Sequence, residues 1–262
     1  MNIIWSHLLL AFEYLKINVK TAVEYRTSFI IQVISMAINN IIWLVFWFYF
    51  FDSFGVVNGY VFLDMLLLYG LIATAYGLAG IFAQNRKSLA SMVNQGRLDY
   101  YLTLPKNVFF HLTTSGFSAF AVGDLIFGLI VLSLFVFVYP IHLILLFLVT
   151  ATILLIAIDL IGSSLAFYVG NSERISNTVH NTSIAFATYP IGMFTDWVKI
   201  ILLTVIPVAF ISAVPLEVLK VFTIEGVLLT IGVALLVLFI SIIVFYYGLR
   251  RYESGNLLYV RT

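Results

Sequence analysis

The sequence predicts an all-α membrane protein with six transmembrane helices, and three observations carry that prediction. Hydrophobic residues fill 63% of the 262 positions, and the mean hydropathy is +1.10. Charged residues make up only 10%, against about 25% in a soluble domain, too few to clothe a surface in water. Apolar runs near the roughly 20 residues that a helix needs to cross a bilayer recur along the chain. The whole of 1–262 reads as one transmembrane domain, with the lipid bilayer as its solvent. A net charge of +1 supplies no field for nucleic acid, and no nucleic-acid partner is expected. Without cysteine there is neither a disulfide framework nor a thiolate metal site.

Residues 1–27 read as an N-terminal amphipathic interfacial helix. Ile4, Leu8, Ala11, Phe12, Leu15, Val19 and Val23 recur at helical spacing, while His7, Glu13, Lys16, Lys20 and Glu24 take other faces. Trp5, Tyr14 and Tyr25 suit the headgroup layer. A cytosolic extension of the first span would show the same pattern. Glu13 and Lys16 interrupt the first apolar run, so no cleavable leader is expected.

Spans are expected at 28–51, 60–83, 113–138, 141–169, 176–196 and 226–248. In the first, Asn39 and Asn40 are polar, and side-chain amides act as glue between membrane helices. In the second, Gly70, Ala73, Gly77 and Gly80 suggest a face for close helix approach. The cluster Trp43, Phe46, Trp47, Phe48, Tyr49, Phe50 and Phe51 reads as an interfacial aromatic belt. Pro190, Pro207 and Pro215 then interrupt the chain. Proline removes a backbone donor and clashes with the preceding turn. Residues 197–222 are therefore expected to form short re-entrant outer helices that turn near or just before Pro215.

Charge sets the orientation. The connections 52–59 and 139–142 hold no Lys or Arg. Segments 1–27, 84–107, 170–175 and 249–262 hold all of the 13 basic residues except Lys199 and Lys220. The positive-inside rule places those four segments, and so both termini, in the cytoplasm.

Motifs of catalysis are missing. The sequence has no G-x-x-x-x-G-K-[ST], no H-E-x-x-H and no G-x-S-x-G. Ser163 and Ser164 follow Gly162 in an apolar span, where small residues serve helix packing. The chain is not expected to be an enzyme. Asp124 and Asp159 lie within spans; they read either as a substrate or proton contact or as protonated packing residues. In loop 84–107, Leu89, Met92 and Val93 form an apolar stripe beside Arg86, Lys87, Ser91, Asn94 and Gln95, and Gly96 can end a short helix. Such a helix can dock into a groove on a soluble partner, or it can be a solvated connector.

The run GRLDYYLTLP, Gly96 to Pro105, resembles the G-x-L-D-x-x-L-x-x-P signature of ABC-2-type transporter permeases, the membrane subunits of bacterial ATP-binding-cassette exporters. Tyr189-Pro190, Ile206-Pro207 and Pro215 resemble that family's proline run before the last span, and YYGLRRYES, Tyr246 to Ser254, its basic exit. The family often has Arg before the loop proline, where this chain has Leu104. The resemblance implies a permease in the bacterial inner membrane that moves an amphipathic or hydrophobic substrate outward. It implies two kinds of partner: a second permease subunit, identical or homologous, and cytosolic ABC ATPase subunits. ATP and Mg would sit in the ATPase, with no cofactor in this chain. Arg86, Leu89, Met92, Val93, Arg97, Asp99 and Pro105 would form a cytoplasmic coupling helix and its flanks, and Pro190, Pro207 and Pro215 an outer gate. The rival reading is an ion-coupled transporter or channel that uses Asp124 and Asp159.

Overall fold

The proline-free apolar runs 28–51, 60–83, 141–169 and 226–248 become the long helices. The computed structural model describes residues 3–170 and 172–253. Helix α1, Ile3–Glu24, passes through one turn residue, Tyr25, into α2, Arg26–Phe54. Helix α3, Phe62–Phe82, starts where the Asp64 carboxylate accepts from the Val61 N–H at 3.0 Å, which satisfies a donor the helix start leaves free. Three short helices follow: α4, Leu89–Asn94; α5, Leu98–Leu102; and α6, Val108–Thr114. Next come α7, Ala119–Ser133, and α8, Ile141–Ser164. The remaining helices are α9, Glu173–Ala187; α10, Asp196–Thr204; α11, Ala213–Lys220; and α12, Ile224–Leu249.

Helix α3 lies at the centre, packed on α7 and α8; α8 packs also on α9 and α12, and α2 on α7. The small-residue face of the second apolar run is what lets α7 so close. A Cβ added at Gly77 would stand 2.6 Å from the backbone nitrogen of Leu125, nearer than packed atoms come. Gly70 meets Val131 and Leu132 on the same face, and Gly80 meets Ala121.

The bundle has two distinct ends. Arg86, Lys87, Arg97, Lys106, Arg174, Arg250 and Arg251 mark a basic end. At the far end, the tight connection between α2 and α3 holds the segment before α12. The Asn58 amide donates to the Gly192 carbonyl (3.2 Å), and Lys220 Nζ lies 2.9 Å from Asp64 Oδ2. The Ser212 hydroxyl donates to the Ala187 carbonyl, where α9 stops. Pro207 falls in the break between α10 and α11. Pro215 falls in the first turn of α11, where the helix has no use for its missing N–H.

Two expected spans differ from the helices found. Among the described residues, four helices are long and apolar enough to cross a membrane, or five if α6 and α7 count as one broken span. The run 113–138 is bent by 72° between α6 and α7. There Ser115 is held by the Asn85 amide at 2.8 Å, and the Ser118 N–H goes to the Gly80 carbonyl rather than to its own helix. The run 176–196 is not among the long helices. Helix α9 has 15 residues, or about 22 Å, short of a hydrocarbon core of about 30 Å. The aromatic cluster also divides. Trp43, Phe46, Phe48 and Tyr49 are exposed, whereas Trp47 and Phe51 belong to the core, Trp47 against Tyr189 with ring centroids 5.4 Å apart.

Candidate functional site

Helices α2, α3, α7 and α9 surround a cavity of about 330 Å³. Its polar floor comes from three of them. Asn40 of α2 is buried; its amide donates to Asp124 Oδ1 of α7 at 2.9 Å, and its carbonyl oxygen accepts from the Tyr69 hydroxyl of α3 at 3.2 Å. The one amide thus ties three helices. Trp43, Tyr76 and Tyr189 add aromatic surface, and Asn39 lines the open side. Asp124 is 94% buried, from a relative exposure of 6%.

A second polar cluster sits toward the basic end. Asp159 Oδ2 of α8 lies 2.9 Å from Arg86 Nε, and Asp159 Oδ1 lies 2.9 Å from His180 Nδ1 of α9. Arg86 also donates through Nη1 to the carbonyls of Ala79 (2.7 Å) and Ala83 (3.0 Å). It therefore caps the end of α3, where orphan carbonyls and the helix dipole favour a cation. The Tyr76 hydroxyl is within 3.2 Å of His180 Nε2, so one side chain borders both the cavity and the cluster. Lys87, in the loop, lies 5.2 Å from the centre of the Tyr76 ring. Burial, and then the neighbouring Arg86 cation, push its amine down to about 8, against the pull of Asp159 and Asp124. No group of His, Asp and Glu among the described residues is arranged to hold a metal ion.

The structure separates the expected acids. Asp124 faces an amide and the cavity; Asp159 is held between an arginine and a histidine. Ser163 lies 2.7 Å from the Ser176 hydroxyl, a helix-to-helix contact of α8 with α9. His180, Tyr69 and Tyr76 complete the polar layers, and the sequence reading passed over all three. A histidine inside the otherwise uncharged stretch NTVHNTS was the available signal.

The loop corrects the sequence reading most. Leu89, Met92 and Val93 do not face outward. They pack with Leu98 and Leu112 on Phe167 and Phe245, and Arg86 has no exposed surface. The apolar stripe is the chain's own core because α8 and α12 converge beneath it. The outward face of the loop is made of Gln95, Arg97, Tyr100, Leu102, Thr103 and Pro105. Arg97 donates to the Ser91 hydroxyl at 3.3 Å. Asp99 is half-buried near Tyr252, whose phenol is pushed up to about 12 by burial first and by Asp99 next. Asn107 and the Tyr246 hydroxyl meet at 2.7 Å, and Phe109 packs on Phe245 with centroids 5.2 Å apart. The loop run Gly96–Pro105 and the exit of α12 therefore form one packed unit. Ser254, the end of that exit run, lies outside the described residues.

Compared with known protein families, residues 37–255 match the description "ABC-2 family transporter protein". The chain belongs to the ABC-2 transporter family. No match was found among curated proteins or among solved structures. As an ABC-2 family transporter it is a membrane protein with a permease role in transport, and such membrane subunits are generally not catalytic themselves. The match begins within α2 and covers the lining of the cavity apart from Met36, the loop and the proline-broken segment; α1 precedes it.

Proposed function

We propose that this ABC-2 family transporter is the permease half of an ATP-driven exporter for an amphipathic or hydrophobic substrate. The observation that carries the reading is the packed unit at the basic end. Loop 84–107 is joined to α8 and α12 through Leu89, Phe167 and Phe245, so a push on its exposed face reaches the spans. Arg97, Tyr100, Leu102 and Pro105 then form the surface that meets a cytosolic ABC ATPase, with Asp99 tying it to the α12 exit; Arg86, Leu89, Met92 and Val93 transmit from within. ATP and Mg bind in the ATPase. Both termini lie in the cytoplasm of a bacterial inner membrane, as the distribution of basic residues favours.

In this reading the chain crosses six times. Helices α7 and α9 are short crossings, eked out by the turns that follow them. Helices α10 and α11 enter from outside and return, and Pro190, Pro207 and Pro215 shape this gate. A second permease covers α9, whose Asn177, Thr178 and Asn181 are exposed. Such a polar stripe is costly against lipid and belongs against protein or a water-filled path. The ion-coupled rival loses Asp159, which is already ion-paired. The deciding experiment purifies the chain from native membranes. An ABC ATPase should accompany it, and Tyr100→Asp should release that ATPase. Purification of the chain without any ATPase under mild detergent would overturn the exporter reading.

A further inference from the structure

Among the described residues, three carboxylates are buried in the bundle. Asp64 has Lys220 at 2.9 Å, and Asp159 has Arg86 and His180 at 2.9 Å. Asp124 has the Asn40 amide alone, and no cation stands within 4.0 Å of it among the described residues. It is the one that borders the cavity. A buried carboxylate held only by a neutral amide is poorly compensated, and the missing partner is a positive charge. The surrounding wall supplies the other half of cation recognition. Trp43, Tyr69, Tyr76 and Tyr189 line the same space, and aromatic rings attract cations that have left water. The cavity, at about 330 Å³, falls at the lower end of the roughly 300–1,000 Å³ typical for small-molecule sites.

We propose that the cavity between α2, α3, α7 and α9 binds a lipophilic organic cation, with Asp124 as counter-ion and Trp43, Tyr69 and Tyr189 as its aromatic wall. The proposal rests on the transport reading above and names the substrate class for it. An apolar cation of this kind is the sort of amphipath that partitions into the bilayer first. It would then reach the cavity from the side on which Asn39 and Trp43 are exposed. A protein cation is a poor substitute here. Lys87, whose charge is felt at Asp124, makes no ion pair with it and lies over the Tyr76 ring instead.

The test uses two ions of nearly equal shape and opposite charge, tetraphenylphosphonium and tetraphenylborate. Saturable binding of each to the purified full chain in nanodiscs is measured by equilibrium dialysis. Tetraphenylphosphonium should bind at one site per chain, and tetraphenylborate should show no saturable site. Asp124→Asn should weaken cation binding by at least about tenfold, because it removes one partner of a desolvated charge pair. Asp52→Asn, which removes an exposed acid at the far end, should leave binding unchanged. Should Asp124→Asn fail to fold, Trp43→Ala at the exposed rim carries the test and should weaken the cation alone. Equal binding of both ions, no saturable binding of either, or unchanged binding in folded Asp124→Asn would each overturn the proposal. Co-purification of an ATPase is scored separately. Its absence sinks the exporter reading without touching the charge preference measured here.

Discussion

Arg86 is a guanidinium with no accessible surface, a placement that desolvation makes very costly without a partner. Asp159 and two carbonyls at the end of α3 offset that cost. Arg86→Met should therefore destabilise the folded chain by roughly 3–5 kcal/mol, because it strands a buried carboxylate. The double variant Arg86→Met, Asp159→Leu should cost clearly less than the sum of its two parents. Denaturant unfolding in micelles reads both, and simple additivity would show that the two residues are not coupled. Lys87, next in sequence, makes a pH prediction. Its folded value is about 8, below the unfolded value near 10.4. The charged amine is penalised in the fold, so the penalty is complete below about pH 8. It is relieved as pH rises toward 10.4, where the unfolded chain still binds the extra proton. The melting temperature of the parent should gain on that of Lys87→Met between pH 8 and 10. A constant gap between the two melting curves would count against it.

Helix α3 reaches α7 through glycine, and the cost of filling that contact is predictable. Gly77→Ala should destabilise by roughly 1–3 kcal/mol, the usual range for overpacking, because the new Cβ meets the backbone of Leu125 rather than a movable side-chain tip. A melting temperature unchanged by Gly77→Ala would mean that α7 can slide. This face was readable in advance, since small residues at helical spacing in an apolar run have few other uses. The loop was half readable. An apolar stripe at Leu89, Met92 and Val93 says that one face is covered but not by what, and the cover comes from Phe167 and Phe245, far along the chain. Leu89→Ala should then lower stability by roughly 2–5 kcal/mol and reduce the amount of folded chain. Tyr100→Asp, on the exposed face, should leave folded yield intact and weaken ATPase attachment. Quantifying folded protein and bound ATPase side by side for the two variants separates core from contact. The break between α6 and α7 was hidden, because hydropathy averages across 115–118 and cannot see Asn85 pulling Ser115 aside.

At the scale of the whole molecule, alternation of apolar runs with basic connections was legible, and the family signature with it. The pairings that lock the bundle were not. Nothing in one sequence joins Asp159 to Arg86 and His180, or Asn40 to Asp124, since these are meetings of distant segments. The segment between α9 and α12 lies between these cases, and it yields the sharpest test of the topology. Helices α10 and α11 have 9 and 8 residues, about 14 and 12 Å, against a core of about 30 Å. Neither can cross alone, and Pro207 keeps them from joining into one rod. The far-end connection of α2 and α3 grips this segment at Gly192 through Asn58, and Asp64 in the first turn of α3 grips it again at Lys220. If that connection faces outward, both flanks of the segment must face outward too. The chain has no cysteine, so single cysteines report without background. Asn58→Cys, Asp196→Cys and Glu225→Cys should all react with an impermeant maleimide added to intact cells. Gln95→Cys, on the exposed loop of the basic end, should react only after the membrane is opened. Labelling of Asp196→Cys and Glu225→Cys from opposite sides would turn this stretch into a full span, leaving the last helix to run the other way.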